Sequence, residues 1–186
     1  MTPFISQKKI AELVHRLAKE IEIDYHGKEI ILICPLKGSV FFAADLMRQI
    51  SLPQKIDFVY LKSSEKGGST KIIKDISTNI QGKHVIVLEE IIDNGRTLNF
   101  LKSRLMASNP ASLKILTLLD KPARREIPLK PDYIGMTIDD RYVVGYGMDS
   151  DELGRNYRDI FSFKMWIKPY TSYHSKLAGR SVYGRP

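Results

Sequence analysis

The sequence predicts an α/β fold of Rossmann-like type, in which a parallel sheet is flanked by helices. Short runs made almost wholly of apolar residues alternate with segments of helical periodicity. Strands that are apolar at every position are typical of parallel sheets buried on both faces. The 186 residues, 43% of them hydrophobic, suffice for one core and are too few for two ordinary domains. We therefore predict one domain over residues 1–167 and a loosely ordered basic extension over residues 168–186.

Three helices are predicted. The first has apolar residues at intervals of three and four along one face, namely Ile10, Leu13, Val14, Leu17 and Ile21. The second is expected after Ser39, a plausible N-cap, and the third over residues 98–106, before the stop at residues 109–110. Each helix follows or precedes an apolar run, which is the alternation that a covered parallel sheet requires.

The apolar runs are the predicted strands, at residues 29–34, 56–61, 85–88, 113–119, 133–138 and 142–145. Between the second and third runs lies a long polar stretch, residues 62–75, with several lysines and a pair of glycines. Such an insertion is either a mobile functional loop or simple disorder. Cys34 lies within the first run, so we expect a buried thiol without a catalytic role.

The net charge of +8 favours anionic ligands, which leaves nucleic acid, an acidic membrane surface and a small polyphosphate as classes. The basic residues do not form one continuous block, so a solvated basic surface is a better interpretation than a nucleic-acid patch. The sequence has no run of eighteen apolar residues and no signal-peptide pattern at its start. We expect a cytoplasmic protein that binds no membrane.

Residues 85–98 combine a buried strand, the adjacent carboxylates Glu89 and Glu90, and a small-residue loop that opens a helix. In open α/β sheets ligands gather outside the carboxyl ends of strands, and the free N–H groups of a helix N-terminus attract phosphate. The acidic pair could then accept hydrogen bonds from ribose hydroxyls, although a purely structural role is also possible. The residues that could cradle a monophosphate are Asp93, Asn94, Gly95, Arg96 and Thr97.

This segment resembles the signature with which phosphoribosyltransferases bind phosphoribosyl pyrophosphate (PRPP). Three other blocks resemble the hypoxanthine-guanine members of that family: residues 35–39 the pyrophosphate loop, residues 118–122 the purine-recognition segment, and residues 130–135 with 142–149 the C-terminal block. The blocks occur in family order. The resemblance implies a type I phosphoribosyltransferase fold with a small hood subdomain, and it implies that the chain forms a homodimer or homotetramer. The implied reaction moves the 5-phosphoribosyl group from PRPP to hypoxanthine or guanine and yields IMP or GMP and pyrophosphate.

On the purine side, the resemblance implies that Asp93 faces N7 of the base and assists proton movement. Lys121 would donate to the O6 atom and so reject 6-aminopurines, because an ammonium group has only donors. Tyr142 would stack on the base, Val143 would offer backbone atoms to its edge, and Asp149 would complete the purine site. Without the resemblance, Asp93 reads as a helix cap, Lys121 as a surface lysine, and Tyr142 and Val143 as strand residues.

On the pyrophosphate side, the resemblance implies a loop of Leu36, Lys37 and Gly38 with a cis peptide between the first two residues. Arg155 would bind the same leaving group through its fork of donors. The implied cofactor is Mg²⁺, bridged by pyrophosphate oxygens and held by Asp149 with the acidic pair of residues 89 and 90. The polar stretch over residues 62–75 would close over the site and exclude water.

Three positions depart from the family pattern. Asn94 replaces a threonine of the phosphate loop, Glu90 replaces an aspartate, and Ser64 stands where a tyrosine is usual. We expect activity to be retained with weaker PRPP affinity or slower turnover. The main alternative is a regulatory protein of the same fold that senses PRPP or a nucleotide, with RNA as a further partner. Against it, Lys121, Tyr142 and Asp149 of the purine side are all present.

Overall fold

The computed structural model describes residues 2–63 and 70–163. Helices and strands alternate as predicted in the first part of the chain, whereas several of the later strands follow one another without an α-helix between them. The elements are α1 (Gln7–Asp24), β1 (Ile30–Leu36), α2 (Val40–Met47), β2 (Gln54–Ser63), β3 (Thr70–Lys74), β4 (His84–Ile92), α3 (Arg96–Met106), β5 (Ser112–Asp120), a 3₁₀ turn (Pro122–Arg124), β6 (Tyr133–Thr137), β7 (Tyr142–Val144) and β8 (Phe161–Phe163).

The described strands form a six-stranded main sheet in the order β3-β2-β1-β4-β5-β6. All neighbouring strands run parallel except β2 and β3, so the predicted α/β architecture is confirmed. The parallel strands end at one edge of the sheet. The order in which the strands are added reverses between β1 and β4, and the helices that follow these two strands pack on opposite faces. Ligands bind at such points in open α/β sheets.

The main sheet separates two apolar cores. Alternate residues of β1 and β4 point to opposite faces, as the period of a strand requires. One face packs against α1 and α2, and the predicted stripe of α1 is buried there in full. The other face packs against α3 through Leu98, Leu101 and Leu105. Cys34 is fully buried, and burial raises the pKa of its thiol to about 12, which keeps the thiol protonated.

Part of the polar stretch predicted as a mobile loop or as disorder is strand, at residues 62–63 and 70–74, so simple disorder is wrong for these residues. The reason lies in Leu61 and Ile72, which pair across the β2–β3 hairpin and pack against the α3 side of the core. Lys74 donates to the Phe58 carbonyl at 2.6 Å. The remainder of the predicted loop, with Ser64 and the glycine pair, lies outside the described residues, as does the predicted extension over residues 168–186.

A second, two-stranded sheet is formed by β7 and β8, which pair antiparallel. The sequence predicted the first of these strands as part of the main sheet and did not predict the second. A backbone bridge between Ile5 and Ile160 ties the start of the chain to this small sheet. No helix in the described part of the chain is long and apolar enough to cross a membrane.

Candidate active site

A cavity of about 350 Å³ opens at the carboxyl ends of β1 and β4, on the edge that the strand order predicts. Its walls are the turn after β1, the end of β4, the start of α3 and two residues of the segment after β7. Of the residues predicted to bind PRPP or metal, the cavity brings together Leu36, Lys37, Gly38, Glu89, Glu90, Asp93, Asn94, Gly95, Thr97, Asp149 and Arg155.

The turn after β1 has the backbone that the resemblance implies, with a cis peptide between Leu36 and Lys37. Ser39, predicted as an N-cap, does not cap α2 through its side chain. Its buried hydroxyl instead donates to the Pro35 carbonyl at 2.6 Å. The hydroxyl takes this partner because it is sealed inside the turn, away from the helix N–H groups. The turn is therefore closed from within by its own serine.

The predicted phosphate loop lies at the N-terminus of α3. Gly95 occupies the N-cap position with φ +84°, a left-handed conformation that favours glycine. The side-chain oxygen of Asn94 accepts from the backbone N–H of Arg96 at 3.1 Å. Asn94, one residue before the N-cap, therefore binds the first N–H of α3, and the side chain of Asp93 does not form the cap that the sequence alone gave to it. The Arg96 side chain turns away from the cavity and forms an ion pair with Glu126.

Glu89 and Glu90 lie inside β4, which runs on to Ile92. Burial raises the pKa of both carboxyls, to about 7 for Glu90, and the charge of Glu90 raises the pKa of Glu89 further. Glu90 reaches across to Gly38: a Cβ atom on Gly38 would lie 1.8 Å from Glu90 Oε1. The longer acid thus occupies space that a glycine leaves free. Neither carboxylate forms an ion pair with any residue in the described ranges.

Lys37 and Arg155, the two cationic residues predicted to bind pyrophosphate, already form ion pairs with a carboxylate of the chain. Lys37 Nζ lies 2.8 Å from Glu152 Oε2, and the same oxygen lies 3.3 Å from an Arg155 nitrogen. That nitrogen also lies 2.9 Å from Asp149 Oδ1. The hydrogen bond from Lys37 lowers the pKa of the Glu152 carboxyl. An anion is therefore bound where the sequence places the leaving group, and this anion belongs to the chain itself.

Of the residues predicted for the purine side, Asp93 and Asp149 line the cavity, whereas Lys121, Tyr142 and Val143 lie beyond it. Lys121 follows β5 and is 7% exposed, and its ammonium group has no hydrogen bond or ion pair with a described residue. Tyr142 is exposed along its ring and donates its hydroxyl to the Asp149 carbonyl at 2.8 Å. Val143 is buried in β7. Lys121 is therefore without an ion pair among the described residues, and Tyr142 is partly exposed. The two side chains do not enclose a space for a base between them.

Sequence reasoning missed a pair of arginines that contact Asp93. Arg124 Nε donates to Asp93 Oδ1 at 2.9 Å, and Arg125 donates to the Asp93 carbonyl and pairs with the buried Asp120. Both arginines follow β5, which lies beside β4 and ends at the same edge. Their position three and four residues after Lys121 was the signal that could have found them.

A close backbone contact between two glycines was also missed. A Cβ atom on Gly147 would lie 1.9 Å from the Gly38 carbonyl oxygen. Gly147 has φ +97°, and its own carbonyl accepts from Arg155 at 2.8 Å. The segment after β7 therefore sits directly on the turn after β1, and this contact joins the two sides of the predicted site.

Comparison with known proteins agrees with this geometry. A family model described as phosphoribosyl transferase domain matches residues 5–151. The hypoxanthine-guanine phosphoribosyltransferase of Streptococcus thermophilus is 39% identical over 155 residues, which cover 81% of this chain and 86% of that protein. A crystal structure of a hypoxanthine-guanine phosphoribosyltransferase from Bacillus anthracis is 46% identical, with a TM-score of 0.85, over 88% of this chain and 98% of the other.

A third relative is a longer protein. The bifunctional protein TilS/HprT of Listeria monocytogenes is 36% identical over 156 residues, and the chain spans only 24% of its length. The fold, the phosphate loop and the family model together define a phosphoribosyltransferase. Within that class, the chain belongs to the hypoxanthine-guanine phosphoribosyltransferase family.

Proposed function

We propose that this chain is a purine-salvage enzyme that transfers the 5-phosphoribosyl group from PRPP to hypoxanthine or guanine. The observation that supports the proposal most is the cavity itself. It joins a helix N-terminus suited to a phosphate with a lysine and an arginine suited to pyrophosphate, and the acidic pair lies between them. PRPP is a ribose with a monophosphate at one end and a pyrophosphate at the other, so its charges match that order.

In the proposed reaction, N9 of the base bonds to the anomeric carbon while the bond from that carbon to pyrophosphate breaks. The proton on N7 passes to the carboxylate of Asp93. Lys37 and Arg155 stabilise the charge that leaves with pyrophosphate, after Glu152 has been displaced from them. Lys121 selects a 6-oxo group with its unpaired ammonium, and Tyr142 covers the base. Val143 reads the edge of the base through backbone atoms.

Family membership implies a metal ion bound with PRPP, and we propose Mg²⁺. The donors fit, since Glu89, Glu90 and Asp149 offer the carboxylate oxygens that this hard cation prefers. The described residues hold no cluster of three such groups that could bind a metal alone. Mg²⁺ commonly uses one or two carboxylates together with substrate phosphates. When bound, the ion would neutralise charge on the pyrophosphate.

The departures from the family pattern fit this proposal. The side-chain oxygen of Asn94 accepts from the first N–H of α3, which leaves the amide N–H₂ group of Asn94 for a phosphate. Glu90 is accommodated over Gly38. We keep the prediction of weaker PRPP affinity or slower turnover, and steady-state kinetics of Asn94→Thr and Ser64→Tyr test it. If neither variant raises kcat/KM for PRPP, the departures are neutral.

The direct test mixes the purified chain with PRPP, Mg²⁺ and hypoxanthine, guanine, xanthine or adenine in turn, and measures nucleotide formation. We expect IMP and GMP, and little AMP. Lack of product with every base would overturn the proposal and favour the PRPP-sensing alternative. In that case calorimetry with PRPP alone would still detect binding. We propose that the chain forms a homodimer or homotetramer and acts in the cytoplasm. Size-exclusion chromatography with light scattering measures the mass of the assembly and so tests the oligomeric state.

A further inference from the structure

The 3₁₀ turn Pro122–Arg124 follows Lys121 directly and brings an arginine onto the residue proposed to accept the N7 proton. We propose that Arg124 is a positioning residue, which fixes the Asp93 carboxylate so that one of its oxygens faces the purine. This inference rests on the proposed function and deepens it. It assigns a role to a side chain that lies outside the cavity wall.

The contact uses one carboxylate oxygen and leaves the other. Arg124 Nε donates to Asp93 Oδ1 at 2.9 Å, whereas no described residue donates to Oδ2. The second acid near this arginine is Asp140, at 3.8 Å. A carboxylate held at Oδ1 cannot rotate freely about its last bond. Oδ2 is thereby presented in one direction, as a proton acceptor needs if it is to meet N7 at hydrogen-bond distance.

The neighbouring Arg125 has a structural role, so the role of Arg124 in positioning can be distinguished from a role in folding. The Arg125 side chain is 12% exposed, pairs with the 7% exposed Asp120 and donates to the Asp93 backbone carbonyl. This buried tie holds the loop of residues 93–95 to the end of β5. Arg124 is 43% exposed, and its hydrogen bond is to a carboxylate only. Loss of Arg124 therefore frees the Asp93 side chain and leaves the Asp93 backbone where it is.

The fixed carboxylate matters for the chemical step more than for binding PRPP. A proton acceptor that samples several rotamers spends less time in the productive geometry, which lowers the rate of the step. PRPP would contact the backbone and hydroxyl groups of the phosphate loop, which Arg124 does not touch. The expected signature is a slower chemical step with an unchanged KM for PRPP. A merely structural role would not divide the two constants in this way.

The test is a double-mutant cycle of Arg124→Ala and Asp93→Asn, read as the single-turnover rate of IMP formation with enzyme in excess. We expect Arg124→Ala to slow this step roughly two- to fivefold, in keeping with a half-exposed ion pair. In the Asp93→Asn background the same change should alter the rate less than about twofold, because the carboxylate that Arg124 positions is no longer present. Arg124→Lys, which keeps a charged donor, should recover part of the rate.

The matched control is Arg48→Ala, which removes another exposed arginine paired with an aspartate, at 2.5 Å on α2. It should leave the single-turnover rate unchanged. Equal slowing by Arg124→Ala in both backgrounds would overturn the inference while wild-type activity upheld the proposed function. A wild-type chain that forms no nucleotide would overturn both. Unfolding curves of each variant check that the Arg124 variants remain folded.

Discussion

The phosphate side and the purine side of the site are built in different ways. The phosphate side comes mainly from two strand ends that are neighbours in one sheet, to which the segment after β7 adds Asp149 and Arg155, and its cavity is already formed. The purine side takes Lys121 from the main sheet and Tyr142 from the small sheet, and these residues lie outside the cavity. The geometry of the phosphate side depends mainly on the pairing of neighbouring strands in the main sheet. The geometry of the purine side depends on how the small sheet packs against the main sheet. Four predictions test this difference, in order of decreasing effect.

The docking contact should be the most sensitive point. Gly147→Ala would drive a Cβ atom to 1.9 Å from the Gly38 carbonyl oxygen, at a residue with φ +97°. We expect a loss of about 3 kcal/mol or more in the free energy of unfolding, from strain and overlap together. Gly82→Ala is the control, since Gly82 has φ +66° and open space around it. It should cost about 1 kcal/mol in the same urea titrations. Equal losses would show that the contact itself is unimportant.

The buried acid of the phosphate side should make the free energy of unfolding depend on pH. The pKa of Glu90 is raised to about 7 from an ordinary 4.5, so the folded chain binds this proton more tightly than the unfolded chain does. Its contribution to stability is therefore complete below about pH 4.5 and is lost as pH rises to about 7, by up to about 3 kcal/mol. Urea titrations of metal-free protein over this range measure the slope. Glu90→Gln should flatten it, and equal slopes for both proteins would contradict the assignment.

Removal of Lys121 should affect activity and spare stability. The residue is 7% exposed and its ammonium group forms no hydrogen bond or ion pair with a described residue, so Lys121→Met exchanges this cation for an apolar side chain of similar length. The melting temperature should not fall, whereas kcat/KM for hypoxanthine should drop roughly 30-fold, the value of about 2 kcal/mol for one charged hydrogen bond. Lys114→Met, which removes a lysine of β5 that pairs with Asp132, should change kcat/KM little. A matched loss in both variants would contradict the selective role.

The smallest effect should come from the internal anion. Glu152 competes with pyrophosphate for Lys37 and Arg155, so Glu152→Gln should lower KM for PRPP about two- to fourfold. The gain should shrink as salt is added, because the groups are largely exposed. Glu12→Gln, from an exposed pair with Lys9, is the control and should leave KM unchanged. A KM that rises in Glu152→Gln would show that this carboxylate assists PRPP binding.

The same division explains what the sequence could predict. Glu89 to Thr97 form one continuous segment, so their chemistry and the cavity edge were readable from local pattern and strand order. The β7–β8 pairing was not, because β8 is a three-residue strand whose partner lies seventeen residues earlier. Contacts made by Arg124, Arg125 and Glu152 depend on which loops meet in space. Side chains at loop ends carry no periodicity, so their partners emerge only with the fold.

The space above Gly38 also constrains how this site can change over generations. A longer acid at position 90 is accommodated because position 38 has no side chain. Because the atoms in the way are the flexible end of the Glu90 side chain, a larger residue at position 38 would push this carboxylate out of its present place rather than be excluded. Substitutions at the two positions are therefore coupled, since a change at one shifts the acid or the space that the other provides.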